Sequence, residues 1–259
     1  MIFESELMTI ENWEKYIYYF DAEHLSSYQA TIKNMRSIVS FKNKNILCLG
    51  SGTGYYPISY LELGAKHVTC LDISEEFLNI IKDKLSKRHQ RSKERIDLHM
   101  ASMADFNINN KFDYIFCNGD SFSCLLDQNE QVSCLKHIKS HLKDSGMAYI
   151  STYPLSNKLK DNFKSTYNFI GPNGSNVTET VTAKIDYINH RLDYCYEYVE
   201  DKEVYKHIIP TRILTLSEMK LLFKIAGLEV TQYYGDLYSQ NITDDSFEWI
   251  FELKASRRV

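Results

Sequence analysis

Short apolar runs and segments of helical period alternate along the first 155 residues of the chain. Residues 45–49 form a short apolar run that is typical of a fully buried strand. Four further strands are predicted at 67–72, 96–100, 112–118 and 147–153, and helices at 55–63, after the capping residue Ser74, and at 128–143. This alternation predicts a parallel sheet with helices on both faces.

The pattern changes after Pro154. Residues 157–176 are polar and are predicted as a loop. Beyond them apolar and polar positions alternate, and a two-residue turn at 189–190 separates the first two runs. Strands are predicted at 177–188, 192–198 and 203–213. We therefore predict an antiparallel insertion over 155–213.

The closing part of the chain returns to the first pattern. Thr215 and Glu218 form a capping box that opens a last helix, and Gly227 ends it. Strands at 228–234 and 247–253 then complete the sheet. The fold class is α/β, with a seven-stranded, mostly parallel sheet, helices on both of its faces, and the antiparallel insertion before the last helix.

The N-terminal region is predicted to contain two helices, at 11–20 and 24–39, that are rich in tyrosine. Two uses fit this composition equally: the aromatic side chains pack on the core, or the helices form a lid over a ligand site. We describe the insertion as part of the same domain as the core. The parts are a helical lid at 1–40, a core at 41–154 and 214–259, and the insertion at 155–213.

The charge of the chain limits its partners. Its 30 Lys and Arg and 34 Asp and Glu residues give 259 residues a formal net charge of −4. This charge argues against a large phosphate-neutralising surface, and the basic stretch 82–95 is interpreted as a solvated helix end. No apolar run reaches the ~20 residues that span a bilayer, and residues 1–10 do not resemble a signal peptide. We expect a cytoplasmic protein that binds neither nucleic acid nor membrane.

The six cysteines show no CxxC pair and no spacing typical of a zinc site. Three of them, Cys48, Cys70 and Cys117, lie inside apolar runs. Reduced, buried thiols and no metal site are therefore expected.

The strongest chemical signal is the loop LGSGTG at 49–54, between a predicted strand and a predicted helix. Its glycines allow a sharp turn and a close ligand approach, and the helix start behind them attracts negative groups. The third glycine of a dinucleotide loop is missing, and Tyr55 and Tyr56 would obstruct a pyrophosphate. Asp72, at the end of the next strand, can accept both ribose hydroxyls of an adenosine. Together these features fit NAD or S-adenosylmethionine.

Segments 96–106 and 112–122 follow at the right distances, and with them the chain resembles the class I S-adenosylmethionine-dependent methyltransferases. More narrowly, it is similar to the glycine/sarcosine N-methyltransferase-like or amino-sugar N-methyltransferase-like branch. CNGDSFSCL at 117–125, GMAYISTYP at 146–154 and AGLEVTQYYGD at 226–236 carry this second likeness. The resemblance implies a Rossmann-like sheet, S-adenosylmethionine as cofactor and methyl transfer as the activity.

Carried over position by position, the resemblance also implies the residues that contact the cofactor. They are Gly50, Ser51, Gly52 and Thr53 at the methionine part, Asp72 at the ribose, Ile73 on the adenine, Ser102 and Met103 at the adenine edge, the backbone of Cys117 at the amino group, and Tyr28 at the carboxylate. Cys48 stands where the family usually has an acidic residue.

Three residues are candidates for catalysis. Asp120, just past the fourth strand, could hold a cationic amine or act as a base, and a loop or capping carboxylate is the equal alternative. Tyr153, at the end of the fifth strand, is predicted to point into the same crevice. Tyr19 is the candidate from the lid, with aromatic packing as the favoured alternative. His190 and His207 are interpreted as exposed residues of the insertion.

The predicted function is methyl transfer to a small polar molecule, with an amine nitrogen favoured as the acceptor. The amine would belong to an amino acid, a small amine or a nucleotide-linked amino sugar. An O-methyltransferase acting on a small hydroxyl compound is the alternative, and an NAD-dependent oxidoreductase is a more distant one. The tyrosine-rich insertion either covers the acceptor pocket or forms the contact of a homodimer.

Overall fold

The structure is a computed structural model that describes residues 10–87, 90–154, 163–238, 241–243 and 245–256. Side chains are not described at 10–15, 90 and 91. Contacts within the chain divide it into two compact units. The smaller unit comprises the described parts of 1–26 and 157–213, and the larger unit those of 27–156 and 214–259.

Eleven strands and five α-helices are found in the described residues. The strands are β1 Asn45–Leu49, β2 His67–Asp72, β3 Ile96–Met100, β4 Phe112–Cys117, β5 Leu142–Thr152, β6 Lys164–Ile170, β7 Asn176–Asp186, β8 Arg191–Glu200, β9 Glu203–Arg212, β10 Leu228–Gly235 and β11 Trp249–Ala255. The helices are α1 Ile10–Ile38, α2 Tyr55–Glu62, α3 Glu75–Lys87, α4 Gln128–His141 and α5 Leu216–Ala226.

The larger unit is built on a seven-stranded sheet in the order β10-β11-β5-β4-β1-β2-β3. The five strands β1 to β5 pair in parallel, whereas β11 pairs antiparallel with both β5 and β10. The order reverses at β1, which places a crevice at the carboxyl ends of the central strands. The predicted fold class is confirmed.

Both faces of this sheet are covered by apolar side chains. Along β1, Leu47 and Leu49 face one core, and Ile46 and Cys48 face the other. All four are buried. Side chains alternate between the two faces of a strand, so an apolar run without interruption is what a strand covered on both sides requires.

One long helix, α1, replaces the two helices predicted in the N-terminal region. The predicted break fell at residues 21–23, where the sequence is Asp-Ala-Glu. Alanine and glutamate favour a helix, and neither glycine nor proline stands there to end one. The helix passes from the smaller unit to the larger after Ser26.

The smaller unit contains a four-stranded antiparallel sheet in the order β6-β7-β8-β9. Its first strand, β6, lies where a loop was predicted. Most of its side chains are exposed, so its polar sequence reflects an edge position and not a loop. The turn between β7 and β8 is also longer than predicted, because Asp186 Oδ1 accepts hydrogen bonds from the backbone N–H groups of Ile188 and Asn189.

Within the described part of the chain, no helix combines the length and the apolar character needed to cross a bilayer.

Candidate functional site

The glycine loop turns sharply between β1 and α2. Gly50, Gly52 and Gly54 have φ angles of 62°, 52° and 88°, which glycine adopts without strain. A Cβ atom at Gly50 would lie 2.6 Å from the Ser121 hydroxyl, so the loop also approaches the segment after β4 closely. Gly54 offers no side chain to cap α2, which leaves backbone N–H groups at the helix start for other partners.

Asp72 ties the end of β2 to this loop. Its Oδ2 accepts a hydrogen bond from the Gly52 N–H at 2.7 Å, and its Oδ1 accepts one from the Ser74 N–H at 3.0 Å. Burial raises the pKa of the carboxyl above its ordinary value, although these backbone bonds oppose the rise. The Ile73 N–H bonds to the carboxylate as well, so about one of its roughly four acceptor sites stays open for a hydroxyl.

Apolar side chains follow Asp72 on the side of β3. Ile73 is 76% exposed, and Met100, which is the register partner of Asp72 on β3, is 63% exposed. Met103 is half-buried, and its methyl group lies 3.7 Å from the position of a Cβ atom on Gly50. Such exposure of large apolar side chains at a strand end suits a flat aromatic ligand. Met100 was missed in the sequence because it ends a predicted strand like any other apolar residue.

Ser102 has a local structural role in the same region. Its hydroxyl accepts a hydrogen bond from the Ala104 N–H at 3.1 Å, and its carbonyl accepts the Asp105 N–H at 3.1 Å. Ser102 therefore lies in a tight turn that these bonds hold in place. Its predicted contact with a ligand stays a prediction.

The end of β4 is held by a polar network that the sequence did not reveal. Cys117 is fully buried, so only its backbone can face a ligand. Asn118 donates to Tyr60 Oη at 2.7 Å and accepts from Tyr238 Oη at 3.1 Å. Both ends of the amide are therefore engaged, and the strand end is fixed in position.

Asp120 lies just beyond this network and is buried. Its Oδ1 accepts hydrogen bonds from Ser123 Oγ at 2.5 Å and from the Tyr153 N–H at 2.9 Å. Its φ of 62° is unfavourable for a residue with a side chain, at a cost of about 1 kcal/mol. Burial raises the pKa of the carboxyl to about 7. A strained, buried acid at the carboxyl end of a central strand is a candidate for chemistry.

Tyr153 and Tyr28 both belong to the larger unit. The backbone of Tyr153 is held by Asp120, and its side chain is 37% exposed. Tyr28, on α1, is buried and stacks on Tyr55 with ring centroids 4.5 Å apart. It also meets Tyr56 edge to face at 5.0 Å. Tyr28 therefore packs against the two residues that follow the glycine loop.

Tyr19 belongs to the smaller unit and is fully buried. Its hydroxyl donates to Glu200 Oε2 at 2.5 Å, and its ring lies 5.0 Å from that of Tyr198. Burial, reinforced by Glu200, raises the pKa of the phenol. These contacts describe a packed residue, and its catalytic role stays a prediction.

His207 corrects a prediction. It was expected to be exposed, but it is 7% exposed and stacks on Tyr196 with ring centroids 4.7 Å apart. Tyr16 on α1 covers it at 4.0 Å. Burial lowers the pKa of the imidazole to about 3, so the ring is neutral. His190, at the turn before β8, is exposed as predicted.

In the described residues, no group of three or more His, Cys, Asp or Glu side chains is arranged to hold a metal ion.

Comparisons with known proteins agree with this architecture. Residues 46–146 match the family model of a methyltransferase domain. The chain is 26% identical over 212 residues to the cypemycin N-terminal methyltransferase of a Streptomyces species, covering 82% of this chain and 83% of the relative. It is 24% identical over 245 residues to the glycine/sarcosine N-methyltransferase of Aphanothece halophytica, covering 91% and 84%.

The solved structures show the same fold. The crystal structure of an S-adenosylmethionine-dependent methyltransferase from Clostridium acetobutylicum ATCC 824 matches with a TM-score of 0.77 and 16% identity. The match covers 94% of this chain and 99% of that one.

Proposed function

On the premise that this chain belongs to the S-adenosylmethionine-dependent methyltransferases, we propose that it transfers a methyl group to the nitrogen of a small cationic amine. The comparisons confirm the resemblance to methyltransferases that was seen in the sequence. They do not favour the alternative hypothesis of a nicotinamide-dependent oxidoreductase. The acceptor is inferred from Asp120, a buried carboxyl with no described cation beside it.

The residues around the glycine loop fit an adenosyl sulfonium. When bound, S-adenosylmethionine supplies a methyl group that its positively charged sulfur has already activated. Asp72 would hold the ribose, because backbone N–H groups fix its oxygens and it keeps an acceptor site for a hydroxyl. Ile73 and Met103 would pack on the adenine. The other predicted contacts, among them Tyr28 and Cys117, would complete the site.

Asp120 would serve the acceptor. An ammonium must lose a proton before its nitrogen is a nucleophile, and a carboxyl with a pKa of about 7 suits that proton transfer. The proton would pass to Asp120, which would leave the nitrogen lone pair free for the methyl group that the bound cofactor supplies. A Cβ atom on Gly119 would meet nothing within 4 Å, so space is open next to Asp120. Tyr153 would line the same space.

The names of the two curated relatives described above support a nitrogen acceptor. One is named as the N-terminal methyltransferase of cypemycin and the other as an N-methyltransferase of glycine and sarcosine. Neither name specifies the acceptor of this chain.

In the decisive experiment the protein is incubated with S-adenosylmethionine and pools of candidate acceptors, and the S-adenosylhomocysteine formed is measured. The pools contain amines, amino acids, amino-sugar nucleotides and matched hydroxyl compounds. We expect turnover with a nitrogen acceptor and a loss of about 100-fold or more in kcat/KM for Asp120→Asn, because the proton acceptor is removed. Asp83→Asn, an exposed aspartate on α3, is the matched control. Turnover with hydroxyl compounds alone would replace the proposal with O-methyl transfer.

A further inference from the structure

A second buried carboxyl, Glu248, lies near Asp120 and was not foreseen in the sequence. It precedes β11 and is 5% exposed. Its Oε2 accepts a hydrogen bond from the Leu237 N–H at 2.9 Å, and its own N–H donates to Asp236 Oδ1 at 3.1 Å. Glu248 is thus fixed through both its side chain and its backbone.

The last residues of β5 connect the two carboxyls. The Ser151 hydroxyl donates to Glu248 and accepts the Gly119 N–H at 2.9 Å. The next two residues along the chain, Thr152 and Tyr153, bond to Asp120 through a hydroxyl and a backbone N–H. Consecutive residues at one strand end therefore hold both acids.

No positive charge compensates this pair among the described residues. Neither acid forms an ion pair with a described lysine, arginine or histidine. Besides Glu248, the titratable groups that interact electrostatically with Asp120 are Cys117 and Cys124. Those that interact with Glu248 are Asp236, Tyr56 and Tyr238.

These neighbours are neutral or negative, and burial raises the pKa of Asp120 and of Glu248 to about 7 each. Two full negative charges are therefore unfavourable here without a cation.

We propose that Asp120 and Glu248 act as one coupled acid, in which Glu248 is the positioning residue that keeps a proton on Asp120 until a cationic amine binds. This inference rests on the proposed function, since it assigns the site a ligand that bears an ammonium group. The ammonium supplies the missing positive charge, so its binding allows both carboxyls to ionise and releases a proton. A neutral hydroxyl compound would not have this effect.

The coupling can be measured without knowing the acceptor. Carbon-13 NMR of the full chain, labelled at Asp and Glu carboxyls, follows each acid through a pH titration. Asp120→Asn and Glu248→Gln identify the two signals. In Glu248→Gln we expect the apparent pKa of Asp120 to fall by about one unit, because a negative neighbour has been removed. In Asp120→Asn the apparent pKa of Glu248 should fall by the same amount, because coupling is reciprocal.

Glu252→Gln is the control, since Glu252 lies on the adjoining strand β11 but bonds to Tyr149 and Tyr234. It should leave the titration of Asp120 unchanged. An unchanged pKa of Asp120 in a folded Glu248→Gln chain would overturn the inference. If that variant does not fold, the wild-type titration decides: both signals must respond in two steps, and single independent steps would refute the coupling.

Activity separates this inference from the proposed function. With an amine acceptor, the acid limb of the kcat/KM profile should move to lower pH in Glu248→Gln, because Asp120 then deprotonates more easily. A purely structural Glu248 would lower the rate without moving that limb. Failure of every amine in the screen would instead refute the proposed function and leave the NMR coupling to stand on its own.

Discussion

Each unit of the chain contains a pair of neighbouring carboxyls that are largely withdrawn from solvent, but the two pairs are bonded differently. In the smaller unit Glu23 and Glu179 bond to each other, which requires a shared proton. Tyr198 Oη donates to Glu23 at 2.9 Å, and His24 Nε2 lies 3.3 Å from it. In the larger unit Asp120 and Glu248 have separate donors at the end of β5. The two acids of the first pair hydrogen-bond to each other through one proton. The two acids of the second pair have no described cation beside them, so a bound cation would be needed to compensate their charge.

This difference indicates different roles. Glu23 lies on α1, Glu179 on β7 and Tyr198 on β8, so their bonds fasten the helix to the sheet within the smaller unit. Burial raises the pKa of both carboxyls, and the charge of Glu23 adds to the rise at Glu179. A proton shared between secondary-structure elements contributes to stability, whereas a proton held beside an open crevice is available to a ligand.

The largest predicted effect concerns ligand binding by Asp72, a further buried carboxyl of the larger unit. Asp72→Ala should weaken binding of S-adenosylhomocysteine by about 100-fold, because charge-assisted hydrogen bonding to the ribose is lost. Isothermal titration calorimetry measures it. Asp97→Ala, an exposed residue on β3, should bind normally. Unchanged affinity in Asp72→Ala would show that the ribose lies elsewhere.

A smaller effect is expected on the structural side of the comparison. Tyr198→Phe should lower the free energy of unfolding by about 1–2 kcal/mol, since a buried hydrogen bond to Glu23 is removed. Thermal unfolding followed by circular dichroism measures this loss. Tyr205→Phe on β9, whose hydroxyl bonds to the exposed Glu203, should change stability by less than about 0.5 kcal/mol. Equal effects of the two variants would contradict the role assigned to the Glu23–Glu179 pair.

The smallest effect concerns pH. The ordinary pKa of a glutamate is 4.5, and burial, reinforced by Glu23, raises the pKa of Glu179 above this value in the folded chain. Between these values the folded chain binds more protons than the unfolded chain, so stability is greatest below the lower value and falls as pH rises through the window. Glu179→Gln should flatten this fall, measured as the change in unfolding temperature from pH 5 to pH 8.5. A slope identical to that of the wild type would show that the pair does not share a proton.

Most of the larger unit could be predicted because its signals are local. The runs at β1, β2 and β3 and the glycine loop are each decided within a few residues, by apolar period and by turn chemistry. Asp72 was selected as a candidate in the same way, from its place at a strand end.

Two of the errors, at β6 and at His207, arose where a distant segment decides the outcome. Strand β6 is polar and depends on pairing with β7. His207 is buried because Tyr16 and Tyr196 cover it from other elements. No pattern within β6 or β9 contains that information.

By itself, the sequence determined the order of strands and helices from β1 to β5, the glycine turn and the carboxylate that ends β2, because each depends on interactions between near neighbours in the chain. Only the tertiary structure decided that Glu248 and Asp120 are held by the same end of β5, and that Glu23 meets Glu179. Burial and hydrogen bonding between residues far apart in sequence depend on the packing of whole elements. The ionisation of these acids is therefore a property of the folded chain.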